Sequence, residues 1–195
     1  DYRSSRGLGD VYKRQDFWQK IWVNHGDKIN DDFKHPQSGF EDYMLCNSIL
    51  NGETGINAID QEIINLYDSG YMHNHMRMYV ASIATNIAKS HWKQPAKWMY
   101  YHLLDGDWAS NALSWQWVAG SNSNKKYYAN QENINKYFNS TQKNSFIDCS
   151  YDHFQSMDIP ESLVKKINFN FELNLPSNEE IKLDSTLPTL LFNYY

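Results

Sequence analysis

Two short runs hold the residues best suited to chemistry. In the first, Asn74, Arg77 and Met78 stand at i, i+3 and i+4. On a helix they put an amide, a guanidinium and a thioether on one face, which continues through Ala81. In the second, Asp107, Asn111 and Trp115 stand at i, i+4 and i+8, drifting only about 40° per step and so forming a stripe. A guanidinium that faces inward needs a carboxylate, because an unpaired buried charge costs several kcal/mol. Asp105 and Asp107 are the nearest acids along the chain. Together these groups offer donors, acceptors and one compensated charge to something polar and flat. A buried Arg-Asp pair among core aromatics meets the same spacing and is the commoner arrangement.

Other chemistries find no support. Seven histidines raise the question of a metal, but the closest pair, His73 and His75, would point about 200° apart on a helix. HExxH spacing is absent, His91 and His102 fall at no recognisable interval, and no metal site is expected. The chain has no Gly-x-Ser-x-Gly elbow, no Walker loop and no dinucleotide fingerprint, which closes the common hydrolase and nucleotide-binding routes. Cys46 and Cys149 form neither CxxC nor CxxCH, so a reducing, cytoplasmic setting is the default.

Helices must position the two runs. Apolar residues at 17, 18, 21 and 22 suit one helix face, with Asn24-His25-Gly26-Asp27 as its stop, a loop over 27–39 and a short helix over Phe40–Leu50. Ala58, Ile59, Ile63, Ile64, Leu66 and Tyr67 mark an amphipathic helix that Gly70 ends with a left-handed cap. Met72–Trp92 reads as the longest helix, and its small residues Ala81, Ser82, Ala84 and Ala88 would admit a neighbouring helix or a flat ligand closely. Pro95 suits a first turn, and that helix is expected to stop at Asp105-Gly106. Asp107 reads as the N-cap of a helix over Trp108–Val118 that Gly120 closes, and a shorter helix covers Asn130–Phe138. Beyond Asp148, Ile159–Ile167 reads as a helix and Phe169, Phe171, Leu173 and Leu175 alternate like a strand. The chain ends on an apolar run without a stop signal and is read as truncated. Residues 1–15 lack periodicity and are set aside as extraneous, and 149–195 are left as an unassigned extension.

A chain of 195 residues carrying 7 Trp, 14 Tyr and 9 Phe, with only 14 Gly and Pro, holds enough apolar mass for one sizeable core and is not disordered. No apolar run approaches a membrane span, and no signal peptide is visible. The formal charge of −5 argues against nucleic acid. Between Lys89 and Lys143, however, seven lysines face three acids, and a polyanion would meet the protein there. A solvated lysine face accounts for the same composition.

The segments GYMHNHMRMYVAS (70–82), HWKQPAKWMYYHLLDGDWASNALSWQWVAGS (91–121) and Tyr127-Tyr128 to Phe138, with their MHNxxRM and DGDxxxNxxxWQW motifs in order, resemble the C-terminal helical flavin-binding domain of the DNA photolyase and cryptochrome family over about residues 16–148. The resemblance implies an all-α, multi-helical domain without the family's N-terminal α/β antenna domain, a monomer, FAD as cofactor, and DNA containing pyrimidine dimers as partner. It implies that Asn74 and Arg77 line the flavin pocket, with Arg77 paired to Asp105. Asp105 and Asp107 would hold the ribityl and adenosine parts, and Asn111 would face N5 of the isoalloxazine. Trp115 and Trp92 would belong to the electron chain, while Asn74, His75, Met78 and Trp117 would contact the lesion.

An amide at position 111 and the pair His73-Asn74 resemble enzymes that split cyclobutane dimers by light-driven electron transfer. A cryptochrome-like photosensor and a helical fragment without cofactor are the alternatives. Where the outermost tryptophan of the electron chain is expected, the sequence has Ser38, Gly39, Phe40 and Tyr43, so that chain is incomplete or ends on tyrosine.

Overall fold

A computed structural model describes residues 15–171. Helix α1 covers 15–25 and gives way at Gly26, whose φ of 57° turns the chain into a 3-10 turn, Gly26–Asn30. The chain then runs irregularly to strand β1 (Leu45–Cys46), helix α2 (Asn47–Asn51), α3 (Asn57–Ser69) and α4 (Asn74–Ser82). A π turn, Ile83–Ile87, follows directly. Next come α5 (Lys93–His102), α6 (Trp108–Ala119), α7 (Gln131–Phe138), a 3-10 turn at Tyr151–Gln155, α8 (Glu161–Val164) and β2 (Lys166–Ile167). The architecture is all-α, with β1 and β2 forming a two-residue antiparallel ladder, Leu45 opposite Ile167 and Cys46 opposite Lys166.

Helix α6 is the centre of the molecule. Its buried residues, among them Ala109, Ala112, Leu113, Trp115, Gln116 and Val118, surround the axis instead of lining one stripe, as expected of a helix enclosed on several sides. α4 and α5 pack on one side. On the other, Ala109 and Leu113 meet Ile29, Trp18, Ile21 and Trp22. Gln116 is fully buried, and this is sustainable because its amide donates to Ile29 O at 2.8 Å and its oxygen accepts from Phe33 N at 2.9 Å. Phe154 and Leu163 are buried in the same core as α4–α6, so residues from the stretch after Asp148 pack against it.

The caps follow the sequence closely. Asp107 accepts from Ser110 N at 2.7 Å and Asn130 from Asn133 N at 3.1 Å, each satisfying an amide that the first helical turn leaves unpaired. Gly70 closes α3 at φ 67°. A side chain there would also run into Leu104, whose amide donates to Gly70 O at 2.9 Å.

Four expectations need correction. Met72–Trp92 is not one helix. After Ser82 the hydrogen bonds lengthen to the π pattern, Ala88 N to Ile83 O at 2.8 Å, and Lys89 at φ 54° ends the run. Asn86 anchors that turn by donating to Val118 O and Tyr127 O, tertiary bonds that outweigh α propensity. Phe40–Leu50 is extended until Cys46, because Glu41 N donates to Lys89 O and His91 N to Asp42 O, which ties this segment to the chain after the π turn. Ile159–Ile167 is helical only over Glu161–Val164, since Asn47 N draws Lys165 O into the β1–β2 ladder. α5 stops at His102, two residues before the expected turn. Most of the segment 1–15, the alternation beyond Phe171 and the apolar chain end lie outside the described residues.

Candidate functional site

The two motif runs converge on one cavity of about 400 Å³, within the range of small-molecule sites. α4 contributes Asn74, Arg77, Met78 and Ala81, which fall on one face because they are spaced i, i+3, i+4 and i+7. α6 contributes Asp107 at its N-cap and then Ser110, Asn111, Ser114, Trp115 and Val118 along the same stripe. Leu103 and Asp105, from the loop joining α5 to α6, complete one end, and Gln15 of α1 reaches the edge.

Arg77 is held from two directions. Its Nε donates to Met72 O at 2.7 Å, and one terminal nitrogen donates to both oxygens of Asp105 at 2.8 Å. The pairing of Arg77 with Asp105 is therefore present, but it is not buried: the Asp105 side chain is 52% exposed. Solvent screening limits such a pair to about 1 kcal/mol of fold stability, so its main effect is to fix the guanidinium at the cavity. Asp107 accepts from Gln19 of α1 besides capping α6. Asn111 donates to Ala96 O of α5 at 2.8 Å, which orients its amide on the wall.

Ser110 is the most telling group. Its hydroxyl is buried on the cavity side of α6 and finds no protein partner among the described residues. A buried polar atom left unpaired costs about 1–3 kcal/mol. The remaining wall combines amides, a guanidinium and carboxylates with the apolar faces of Met78, Leu103, Trp115 and Val118. That mixture suits a planar ring system with a polar edge and a hydroxylated tail, and the unpaired hydroxyl supplies the hydrogen bond such an edge needs. The wall therefore fits the flavin implied by the resemblance. Ser110 and Ser114 escaped the sequence reading although they lie three and seven residues after Asp107, on the stripe already drawn.

Three residues singled out in the sequence lie away from this wall. Trp92 is fully buried, with its indole Nε1 donating to Asp32 at 2.7 Å and its backbone amide to Gln37 at 2.9 Å. Trp117 points outward, 40% exposed, its ring 5.7 Å from Tyr127. His75 is exposed and stacks on Tyr137 at 5.3 Å. Its ring also stacks on His73 instead of diverging from it. The helical angle does not apply to that pair, because His73 is the N-cap of α4, outside the helix, and accepts from His75 N.

The lysine-rich stretch divides in two. Lys89, Lys93 and Lys126 bind Glu41, Asp31 and Ser38 O, so they fasten the 31–41 segment. Burial beside Lys89 pushes the Lys126 ammonium below its ordinary value. Lys97, Lys125, Lys136 and Lys143 are exposed. Among the described residues, no helix is long and apolar enough to cross a membrane.

The chain is similar to the deoxyribodipyrimidine photo-lyase of Streptomyces griseus, 31% identical over 130 residues that cover 64% of this chain and 29% of that protein. The corresponding protein of Agrobacterium fabrum is 42% identical over 96 residues, 49% of this chain and 20% of the relative. That of Halobacterium salinarum is 28% identical over 124 residues, 62% and 26%. The chain spans less than a third of the length of these relatives. Residues 10–160 match the family described as the FAD binding domain of DNA photolyase, and with more than half of its length matched this chain belongs to that family.

Proposed function

We propose that this chain holds the flavin of a light-driven DNA repair enzyme, a carbon-carbon lyase that splits cyclobutane pyrimidine dimers. The observation that carries the reading is the single cavity wall on which Asn74, Arg77, Asp105, Asp107, Asn111 and Trp115 meet beside an unpaired serine hydroxyl. When bound, a reduced FAD supplies a light-excited electron to the dimer, whose two ring bonds open before the electron returns.

The chain's own residues bind, orient and exclude water. Arg77 and Asn74 hold the negative edge of the ring system, Asp105 and Asp107 accept from the hydroxyls of the tail, and Asn111 presents its amide toward N5. Trp115 and Trp92 carry electrons to the flavin. Trp117, with Asn74, His75 and Met78, receives the lesion. A dimer must leave the helix to reach such a site, and a damaged, poorly stacked base does so at the lowest cost. Stacking on the half-exposed indole of Trp117 returns about 1–3 kcal/mol per base. Lys97, Lys125, Lys136 and Lys143 meet the phosphates. A monomer in a reducing, cytoplasmic setting belongs to the same reading, and the free thiols of Cys46 and Cys149 are in keeping with it.

Illumination of a dimer-containing oligonucleotide with the reduced, flavin-loaded protein tests the proposal. Restoration of the pyrimidines is the expected outcome. An intact lesion on a properly loaded protein would sink repair and leave the photosensor reading. Trp117→Ala should weaken binding to damaged DNA by about tenfold, as loss of one stacked base predicts, with the flavin spectrum unchanged.

A further inference from the structure

Trp117 owes its outward position to helical geometry. It stands two residues after Trp115 on α6, about 200° further round the axis, so the helix that turns Trp115 to the cavity turns Trp117 to the surface. What meets the indole there comes from the chain beyond α6. Gly120, at φ 86°, ends the helix in the left-handed region and reverses the chain. Ser123 Oγ then donates to Trp117 O at 2.8 Å, and Tyr127 N donates to Val118 O at 3.0 Å. This return brings the Tyr127 ring to 5.7 Å from the indole of Trp117, tilted by 35°, a separation at which aromatic rings attract.

Tyr127 is fixed more firmly than the indole it touches. Its carbonyl accepts from the Asn86 amide at 2.8 Å, and the same amide donates to Val118 O at 3.0 Å. Asn86 belongs to the π turn and is 6% exposed, so one buried side chain ties Tyr127 to the last turn of α6. The Tyr127 ring packs against the main core, and its hydroxyl shares a hydrogen bond with that of the buried Tyr79. A half-exposed indole on a helix surface otherwise exchanges among staggered rotamers, and whatever stacks on it must offset the cost of stopping that motion. A neighbouring ring held from behind removes that cost beforehand and leaves the rest of the indole open. π turns recur at functional sites, and this one presents the amide that sets the neighbouring ring.

We propose that Tyr127 is a positioning residue for lesion recognition: it holds the Trp117 indole in one orientation, so that an extruded pyrimidine stacks on a ring already in place. The inference deepens the repair reading above and rests on it. Asn86 acts one step further back, through Tyr127. No bond to the nucleic acid is asked of Tyr127 itself, and its contribution is to discrimination. Undamaged DNA is held at its phosphates by exposed lysines, contacts that carry no information about the bases. A dimer turned out of the helix meets the indole as well. Loss of the Tyr127 ring therefore lowers affinity for the dimer and spares affinity for undamaged DNA.

Fluorescence anisotropy of a labelled oligonucleotide carrying one cyclobutane dimer, and of its undamaged counterpart, reads that discrimination on the flavin-loaded protein. Tyr127→Leu should weaken binding of the dimer by about two- to tenfold, the cost of immobilising one side chain on binding, with binding of the undamaged strand unchanged. Tyr127→Phe, which keeps the ring, should recover the ratio. In a Trp117→Ala background Tyr127→Leu should cost nothing more, since no indole remains to be held. Fluorine resonance of the protein labelled with fluorotryptophan identifies Trp117 by the line lost in Trp117→Phe. That line should be single and sharp in the unaltered protein, and it should shift and broaden in Tyr127→Leu while those of the buried Trp92 and Trp98 stay. An unchanged ratio in Tyr127→Leu, or an equal further loss in the Trp117→Ala background, overturns the proposal. So does a Trp117 line already split among rotamers in the unaltered protein, a measurement that needs no variant to fold. Trp117→Ala with the parent's ratio refutes stacking on that indole and the positioning with it, whereas a loss in Trp117→Ala without one in Tyr127→Leu removes Tyr127 alone.

Discussion

The cavity wall and the segment that clasps Trp92 are built from the same kinds of residue and treat them differently. Around Trp92, both oxygens of Asp32 accept, one from the indole and the other from Gln37 N at 2.9 Å. Gln37, 4% exposed, donates to Ser90 O and accepts from Trp92 N. Asp42 accepts from Met44 N and from the almost buried Lys166 at 2.5 Å. On the cavity wall the Ser110 hydroxyl has no partner among the described residues, and the Arg77–Asp105 pair lies half in solvent. Ser90 Oγ and Gln94 Oε1, near Trp92, are also buried without a partner among the described residues, but of such atoms only Ser110 Oγ belongs to a residue that lines the cavity, where a ligand's atoms can reach it. The first region is scaffold that keeps an indole in place, and the second is surface left for something to bind.

That contrast can be broken most directly at Gln37. Gln37→Ala leaves a buried N–H and a buried carbonyl unpaired at Trp92 and Ser90, each costing about 1–3 kcal/mol. The melting temperature should fall by roughly 10 °C, at about 2–4 °C per kcal/mol for a chain of this size. Flavin affinity of the folded fraction should hardly change. Arg77→Ala should do the reverse. Fold stability should drop by about 1–3 kcal/mol, since the screened Asp105 pair contributes little and the Nε bond to Met72 O is also lost, while loss of a charged hydrogen bond to the ligand weakens flavin binding by at least about tenfold, read by titration of flavin absorbance. Tight binding by that variant would remove Arg77 from the site.

Ser110→Ala sharpens the comparison, because its two effects have opposite signs. Removing an unpaired buried hydroxyl should raise the melting temperature of the flavin-free protein slightly, whereas flavin affinity should fall by a few-fold, or about 1 kcal/mol. Equal effects in the same direction would mean the hydroxyl serves no ligand. The smallest expected effect is on pH dependence. Burial pushes His91 and His102 below their ordinary 6.5, although Asp32 partly opposes it at His91. Their folded forms are neutral, so the unfolded chain takes up protons first and stability, complete above about pH 6.5, declines as pH falls below it. Asp32→Asn should deepen the acid-side loss if the carboxylate is what opposes burial, as thermal melts from about pH 7 to pH 5 would show.

The legible parts of this chain were those governed by near neighbours. Asp107 and Asn130 as N-caps, and Gly70 and Gly120 as left-handed ends, follow from one helical turn of local chemistry. The faces Asn74–Arg77–Met78 and Asp107–Asn111–Trp115 follow from helical geometry alone, and both reach the cavity. What stayed hidden depended on partners far along the chain. The break after Ser82 is written by Asn86 bonding to Val118 O and Tyr127 O, 32 and 41 residues away. The extended path before Cys46 is written by pairing with Lys89, His91 and Lys166. Asp32 could not be linked to Trp92 by any spacing, since 60 residues separate them.

The sequence by itself determined that the chain is all-α, which residues share each helix face, and, through two motifs, the family to which it belongs. Backbone capping and helical periodicity act within a few residues, so their record is local. Only the tertiary structure decided that the two faces close on one cavity, that the Arg77–Asp105 pair stands half in solvent, that Ser110 Oγ is left without a partner among the described residues, and that Trp92 contacts His91 and through it Tyr43. Those outcomes depend on which distant groups satisfy one another when α6 is enclosed, and burial of that kind is a property of the packed whole.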